Sequence, residues 1–420
     1  MSRPRAVVLV TGSELVRGDR ADLNGPFLAR ELLARGFEPA RIVIVGDGAE
    51  ELESAFAEAL QADLCVVSGG LGPTHDDRTV EILARAAERE LVVDQELEGK
   101  IEQVSRAVAE RLRRPYADFE AGVRKQASLP AGATSIGLAG TAPGFVLGTE
   151  RAAVVVLPGP PSELRRLWPQ ALASEPLRRL LKRGRPPVRR VVRLYGASES
   201  AVARALAELG GPGEGVEATI CAREFEIHVD VLAEDDGADE LAAALRTKLE
   251  RYVFAEDERP IEELVLELCR ARGLTIGTAE SCTGGLVAAR LTSIPGSSEA
   301  FRGAIVAYHD DVKRDELGVP AELIARHGAI SAEVAEAMAA GVRTRLGVDL
   351  GLSVTGVAGP GGGTPDKPVG LVYVHVSGES GGAALKLDFP GERQAIRMRA
   401  AVAVLHLCRR FLTQSRDKSA

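Results

Sequence analysis

Along the N-terminal part of the chain, short apolar runs that stop at glycine alternate with longer stretches whose apolar residues recur at helical spacing. Residues 6–10 are aliphatic and end at Thr11-Gly12, and residues 23–33 carry apolar side chains along one helical face. Residues 42–45 and 64–67 return to the strand pattern, each closing on glycine, with a helical stretch at 51–60 between them. Continuous apolar runs predict strands buried on both faces, and a β-α-β-α order predicts a parallel sheet with helices on both faces. Such sheets bind ligands at the carboxyl ends of their strands. Those ends carry Thr11-Gly12-Ser13-Glu14, Gly46-Asp47-Gly48 and Ser68-Gly69-Gly70-Leu71-Gly72. Residues 154–157 predict a further buried strand, closed by Pro158-Gly159-Pro160-Pro161, after which Ser162 caps a helix running through Trp168.

The rhythm breaks at 178–193, a stretch rich in arginine and interrupted by Pro186-Pro187, which reads as a connection. A small unit follows, with strand 191–194, helix 201–209, strands 216–221 and 226–232, and helix 241–250. Its Gly210-Gly211-Pro212-Gly213 has the GxxG form of an RNA-binding KH module. It precedes a strand, whereas the clamp joins two helices, and Glu234, Asp235, Asp236, Asp239 and Glu240 make the unit acidic, so a structural spacer is expected. A second β/α domain begins with an amphipathic helix at 261–272, with strands at 274–277, 303–307 and 350–354. The expected α/β architecture is a parallel-sheet domain at 1–172, a linker and small KH-like α+β unit at 173–256, and a C-terminal α/β domain at 257–420.

Composition narrows the classes. At 420 residues and 45% hydrophobic, the chain is long enough for several packed domains. A net charge of -8 argues against a general nucleic-acid binder, which needs surplus Lys and Arg. The cysteines, Cys65, Cys221, Cys269, Cys282 and Cys408, lack disulfide or zinc spacing and fit a reducing cytoplasm. No apolar stretch reaches signal-peptide or membrane length, so a soluble cytoplasmic protein is expected.

Two constellations carry chemistry. In residues 68–77 the glycines let backbone N–H groups approach a phosphate, and the adjacent carboxylates of Asp76 and Asp77 suit a divalent metal. No Gly-Lys-Ser/Thr is present, so this is not a nucleoside-triphosphate P-loop, and a tight turn capped by Asp77 is the structural alternative. The second constellation joins Thr278-Ala279-Glu280-Ser281-Cys282-Thr283-Gly284-Gly285, residues 308–313 and residues 354–363. Ser281 sits at a strand-to-helix turn, where free N–H groups of the first helical turn would favour an oxyanion; equally, Ser281 or Thr283 caps that helix. Tyr308 lies at a strand end and Lys313 about one helical turn beyond, where burial would be needed for a lysine to serve as a base. The glycine-rich loop from Thr355 could wrap a phosphate or carboxamide, with Lys367, Arg393 and Arg397 as cations. Hydroxyl, phenol, amine and a wall of N–H groups are the parts of an amide-cleaving site.

Gly12-Ser13-Glu14-Leu15 with Asn24, residues 68–77, Gly140-Thr141-Ala142-Pro143-Gly144 and Leu157-Pro158-Gly159-Pro160-Pro161 resemble, in this order, the molybdopterin-binding-like domain of the CinA family. The resemblance implies metal-dependent ADP-ribose pyrophosphatase activity, with metal and phosphate contacts at Asp76 and Asp77, and Glu14, Asn24, Asp47, Gly70 and Thr74 around them. A divalent cation, Mg or Co, is the implied cofactor. Residues 262–412 are similar to the CinA C-terminal domain, the PncC-type nicotinamide-nucleotide amidases. Besides the segments above, Pro295-Gly296-Ser297-Ser298, Gly328-Ala329-Ile330-Ser331, Lys367-Pro368-Val369-Gly370 and Gly391-Glu392-Arg393 match. This implies cofactor-free hydrolysis of nicotinamide mononucleotide to nicotinate mononucleotide and ammonia, in a homodimer. It assigns Ser281 as nucleophile, Lys313 and Tyr308 as the proton-handling pair, and Thr355 as a site hydroxyl. Glu280, Thr283, Gly284, Gly285, Gly356, Gly359, Gly361, Arg393 and Arg397 become substrate-binding positions, with Arg393 on the phosphate.

The chain departs from the family's usual pattern at Ser13, at Leu23 and at His309-Asp310-Asp311-Val312, where Ser-Asn-Glu-Ala is common. A carboxylate at Asp310 pointing into the site would hold Lys313 protonated. Two other functions are weighed. A molybdopterin-handling protein leaves the C-terminal half unexplained, and net acidity opposes a non-catalytic, competence-linked nucleic-acid-associated protein.

Overall fold

The β-α-β-α rhythm builds a six-stranded sheet in the order Glu38–Val45, Arg5–Thr11, Leu64–Ser68, Ala153–Leu157, Pro143–Gly148, Thr134–Leu138. The first four strands are parallel, and each of the last two is antiparallel to its neighbour. The computed structural model describes residues 3–414 and separates into two units, Met1–Val188 and Arg189–Ala420. In the first unit Val7 and Leu9 pack against Leu52, Phe56 and Ile82 on one face of the sheet, while Ala6, Val8 and Val10 pack against Leu28, Leu32 and Trp168 on the other. Burial on both faces is what the continuous apolar run encodes. The edge strand begins at Glu38, ahead of the apolar residues 42–45, because Pro39 and the charged side chains are tolerated where one side has no partner strand.

Two helices extend beyond expectation. Pro161–Ala173 continues past Trp168 through Pro169, and Glu175–Leu181 buries Leu177 in the first unit's core. Much of the stretch read as a connection is therefore a helix end and the strand Val188–Leu194.

That strand enters a four-stranded sheet, Val216–Arg223, Glu226–Ala233, Val188–Leu194, Val253–Ala255, with helices Glu199–Glu208 and Gly237–Lys248. The GxxG segment leads from a helix into a strand. The C-terminal sheet has the order Phe301–Val306, Ile276–Glu280, Leu350–Gly356, Leu371–Gly378, Gly381–Asp388, with the first three strands parallel and the last two antiparallel. Helix Arg393–Gln414 packs Ala400, Val404 and Cys408 into one core cluster, and helix Ala332–Leu346 packs Met338 and Val342 into another with Ala279. The latter helix lies so close to the sheet that a side chain at Gly351 would meet the Ala339 carbonyl oxygen at 2.0 Å. Among the described residues no helix is long and apolar enough to cross a membrane.

A buried polar cluster ties the four-stranded sheet to the long C-terminal helix. The Glu226 carboxylate accepts from the Arg193 guanidinium and lies 2.7 Å from His406 Nε2, whose ring stacks on Tyr195 at 3.7 Å. Burial pushes the Glu226 carboxyl up, but His228, His406 and Arg193 outweigh it and hold it at about 2. Removing one partner of such a pair leaves an uncompensated buried charge. Arg193→Ala should cost about 3–5 kcal/mol of stability in chemical denaturation. A loss below about 1 kcal/mol would show that the histidines satisfy Glu226 without Arg193.

Candidate active sites

Both candidate sites lie at the carboxyl ends of parallel strands. In the first unit the register pairs Val10 with Ser68 and Ser68 with Leu157, so the loops after these strands rise side by side. Gly69 and Gly70 have φ of 107° and 65°, and a Cβ at Gly70 would fall 2.0 Å from Thr79 Oγ1, so both the backbone and the space require glycine. Buried Asn24 donates from Nδ2 to Ser68 Oγ at 2.9 Å and to the Gly159 carbonyl at 2.7 Å, joining the loops. Asp47 Oδ2 accepts from the Ser13 N–H at 2.9 Å and hydroxyl at 2.6 Å, fastening the loop after the first strand to that after the second. The Thr74 hydroxyl lies between the Asp76 and Asp77 carboxylates, and the Thr74 N–H donates to Asp77 Oδ2 at 3.0 Å. That hydroxyl holds the Asp76 carboxyl below its ordinary range.

These loops enclose two chambers of about 410 and 350 Å³ that share Thr11, Glu14, Gly159 and Pro160. Val10, Leu15, Leu23 and Pro161 give the first an apolar lining, with Arg20 and Asn24 beside it. The second holds residues 69–72 with Asp47, Asp76, Asp77 and Glu163. Leu23, one of the departures from the family pattern, thus lines the apolar chamber. Among the described residues no three His, Cys, Asp or Glu side chains converge as a ready metal cage. Adjacent Asp76 and Asp77 fit an ion such as Mg²⁺ that takes one or two carboxylates and completes its shell with water and phosphate oxygens. Glu163 went unnoticed in the sequence, where it reads as an ordinary residue of a helical first turn. The proline-glycine turn directly before it was the available signal.

In the second unit Glu280 pairs with both Val306 and Val354, which brings the residues after three parallel strands to one edge. Ser281 follows the central strand, Tyr308 the outer one, and Thr355 lies near the end of the third. Ser281 is 8% exposed, and its hydroxyl has no hydrogen-bond partner among the described residues. The loop that carries it is held at both ends by charge. Fully buried Glu280 accepts the N–H groups of Gly285 at 2.9 Å, Val287 at 3.1 Å and Ala288 at 2.9 Å, which open helix Leu286–Thr292. Arg397 donates to the carbonyls of Cys282 at 3.1 Å and Thr283 at 2.7 Å, with its remaining nitrogen on Gln394. Gly284 and Gly285, at φ of 60° and 95°, make the turn between them.

This geometry changes several expected roles. Glu280 and Arg397 were read as substrate contacts, but their polar atoms are engaged in shaping the loop. The first-turn N–H groups expected to face an oxyanion are taken by Glu280, because a carboxylate at a helix N-terminus satisfies orphan donors and the dipole together. Gly356 packs against the neighbouring strand, where a Cβ would lie 2.6 Å from the Leu371 carbonyl oxygen. Lys367 donates to the His327 carbonyl at 2.6 Å, away from the phosphate role given to it. Thr355 donates to the Ala329 carbonyl at 2.9 Å, and Thr283 Oγ1 is buried without a partner. At Gly361 a Cβ would meet open space.

Arg393, one helical turn before Arg397 on the long helix, donates to the Gly359 carbonyl at 2.6 Å and to the Tyr308 hydroxyl at 2.8 Å. Tyr308 is 60% exposed, so it projects from the strand end rather than into the core. Lys313 is 2% exposed, and its amine donates to Asp310 Oδ1 at 3.1 Å, so the carboxylate that departs from the family pattern does reach the lysine. Burial pushes the Cys282 thiol up to about 12, which disfavours the thiolate that a cysteine nucleophile needs.

Two α/β domains thus carry strand-end candidate sites, one rich in glycine and carboxylates and one built around a serine loop. Residues 7–179 match the family described as probable molybdopterin binding domain, and residues 258–412 the CinA C-terminal domain. The chain is 44% identical over 423 residues to a CinA-like protein of Mycolicibacterium gilvum, covering 97% of this chain and 99% of the relative. It is 43% identical over 425 residues to a CinA-like protein of Mycobacterium tuberculosis, covering 97% of each. A solved competence/damage inducible protein from Agrobacterium tumefaciens matches 38% of this chain and 99% of its own at 37% identity, with a TM-score of 0.36. The chain belongs to the CinA family.

Glu280→Gln keeps side-chain size but turns one acceptor oxygen into a donor facing helical N–H groups. The variant should lose about 2–3 kcal/mol of stability, as for an unsatisfied buried group beside lost charge-assisted bonds. Thermal unfolding checks this, and an unchanged midpoint would show that the carboxylate is dispensable to the loop.

Proposed function

We propose that the C-terminal domain hydrolyses the carboxamide of nicotinamide mononucleotide, giving nicotinate mononucleotide and ammonia. The observation that carries this reading is the unpartnered Ser281 hydroxyl, on a loop braced by Glu280 and Arg397 at the carboxyl end of the central parallel strand. Membership of the CinA family, whose C-terminal domain the sequence resembles over its length, supports the choice of substrate. In this reading Ser281 Oγ bonds to the carboxamide carbon, its proton passes to the Lys313 amine, and the C–N bond breaks as ammonia leaves with a proton relayed through Tyr308. Water then cleaves the acyl-serine ester, releasing the carboxylate and restoring the hydroxyl. Arg393 holds the Tyr308 hydroxyl in place and stands ready for a nucleotide phosphate, Arg being suited to bidentate contact.

For the N-terminal domain we propose hydrolysis of ADP-ribose. The observation favouring it is the pair of adjoining chambers, one apolar enough for a base and one lined by glycines and by Asp76 and Asp77, as a nucleoside diphosphate sugar requires. A divalent ion held by Asp76 and Asp77 would neutralise phosphate charge there.

The purified chain should release ammonia from nicotinamide mononucleotide and AMP from ADP-ribose with Mg²⁺. Ser281→Ala should abolish the first activity and leave the second, while Cys282→Ala should keep both. Loss of ammonia release in Cys282→Ala alone would reverse the nucleophile assignment.

Asp310 tests the lysine's role. Its carboxylate accepts from the amine, and a carboxylate acceptor favours a cationic donor, which has no lone pair to take the serine proton. Asp310→Asn keeps the shape with a neutral acceptor, so turnover of nicotinamide mononucleotide at neutral pH should rise several-fold. Identical rates in the two proteins would remove Lys313 as the base limited by this pair.

A further inference from the structure

We propose that Glu163 is the general base of the N-terminal site, taking the proton of the water that attacks the pyrophosphate. This rests on the reading of that domain as an ADP-ribose hydrolase. Five carboxylates line the smaller chamber, Glu14, Asp47, Asp76, Asp77 and Glu163. Asp47 is engaged by Ser13, and Asp76 and Asp77 by Thr74. Glu14 belongs to both chambers, whereas Glu163 faces only the one that holds the glycine loop and the paired aspartates.

Its position relative to a phosphate is fixed by backbone. Glu163 lies in the first turn of helix Pro161–Ala173, directly after the turn at 158–160. The Gly69 N–H donates to the Leu157 carbonyl at 3.0 Å, and a Cβ at Gly159 would lie 3.5 Å from Gly69 Cα, so that turn rests on the phosphate loop. On the other side the carboxylate packs against Gly140, where a Cβ would fall 2.7 Å from Glu163 Oε1. The helix start thus rests on the glycine loop, and the carboxylate it carries lies against Gly140.

Its chemistry suits the task. Burial raises the Glu163 carboxyl above its ordinary value, partly offset by Arg166 on the same helix. The helix N-terminus also favours the charged form, so the residual shift reflects partial withdrawal from water. The chamber's remaining charged groups are Glu14, Asp47, Asp76 and Asp77, so no basic side chain of its lining faces Glu163. A carboxylate more basic than an exposed glutamate is the better proton acceptor near neutrality. In the step, the water oxygen forms a bond to phosphorus as its proton passes to Glu163. The bridging P–O bond breaks, and the leaving phosphate keeps the electron pair.

The test uses the full chain with ADP-ribose and Mg²⁺, comparing wild type, Glu163→Gln and Glu163→Asp. Glu163→Gln should lower turnover about 10²-fold or more, with the acid limb of the pH profile lost, while KM stays within about threefold. Calorimetric binding of ADP-ribose without metal should be retained, and Glu163→Asp should recover part of the rate. A Glu163→Gln protein with wild-type turnover and an intact acid limb overturns the proposal alone. A variant that loses binding as much as turnover makes Glu163 a ligand contact and also overturns it. A wild type that binds but does not hydrolyse ADP-ribose removes the domain reading and the proposal together.

Discussion

A carboxylate with no exposure to solvent ends the middle one of the three parallel strands of the C-terminal sheet, and the arrangement of the candidate site depends on what it binds. Glu280 is fully buried and takes three N–H groups from the start of helix Leu286–Thr292. A buried charge is tolerated only where its oxygens are saturated by donors, and a helix N-terminus offers donors and a favourable dipole at once. The consequence is a fixed path for residues 281–285, which must leave the strand, turn through two left-handed glycines and deliver their following N–H groups to the carboxylate behind them. Ser281 is the first residue of that path. Its N–H donates to the Val354 carbonyl at 2.9 Å, which fixes the residue to the neighbouring parallel strand.

Arg397 completes the constraint from the opposite side. A guanidinium only donates and a carboxylate only accepts, so Arg397 can take the loop carbonyls that Glu280 cannot. Arg393 lies one helical turn earlier on the same helix and links the Gly359 carbonyl to Tyr308. Two arginines thus reach the loops after three parallel strands from one helical surface. Further along that helix His406 enters the Glu226 cluster of the four-stranded sheet. One helix therefore carries contacts to the serine loop, the tyrosine, the glycine-rich loop and the middle unit, and its placement sets their mutual geometry.

The sheet architecture was legible because it is local. Runs such as 6–10 and 64–67 are apolar at every position since both faces are covered, and glycines mark where the backbone turns at the strand ends. Motif positions such as Ser281 and Asp76 could be placed at those ends for the same reason. What escaped were the partners of charged side chains, which are fixed by packing between distant segments. Glu280 and Arg397 resembled ligand contacts until their oxygens and nitrogens were seen to be engaged with backbone. Lys367 was a loose cation in the sequence and is a loop tie in the structure. Asp310 was the exception, since at three residues before Lys313 on one helix its reach to the amine follows from helical spacing.

The two sites handle negative charge in opposite ways. In the C-terminal domain Arg393 and Arg397 stand at the serine loop and the tyrosine, so positive charge is built into the chain. In the N-terminal domain the chamber beside the glycine loop presents five carboxylates and no basic side chain. Backbone N–H groups offset only part of that field, so a divalent ion at the paired aspartates would favour an anionic diphosphate there. Burial withdraws the Glu163 carboxylate from easy ionisation while the paired aspartates remain hydrogen-bonded by Thr74. Carboxylates of one chamber thus suit two different tasks, the paired aspartates a cation and Glu163 a proton, because they differ in burial and in partners.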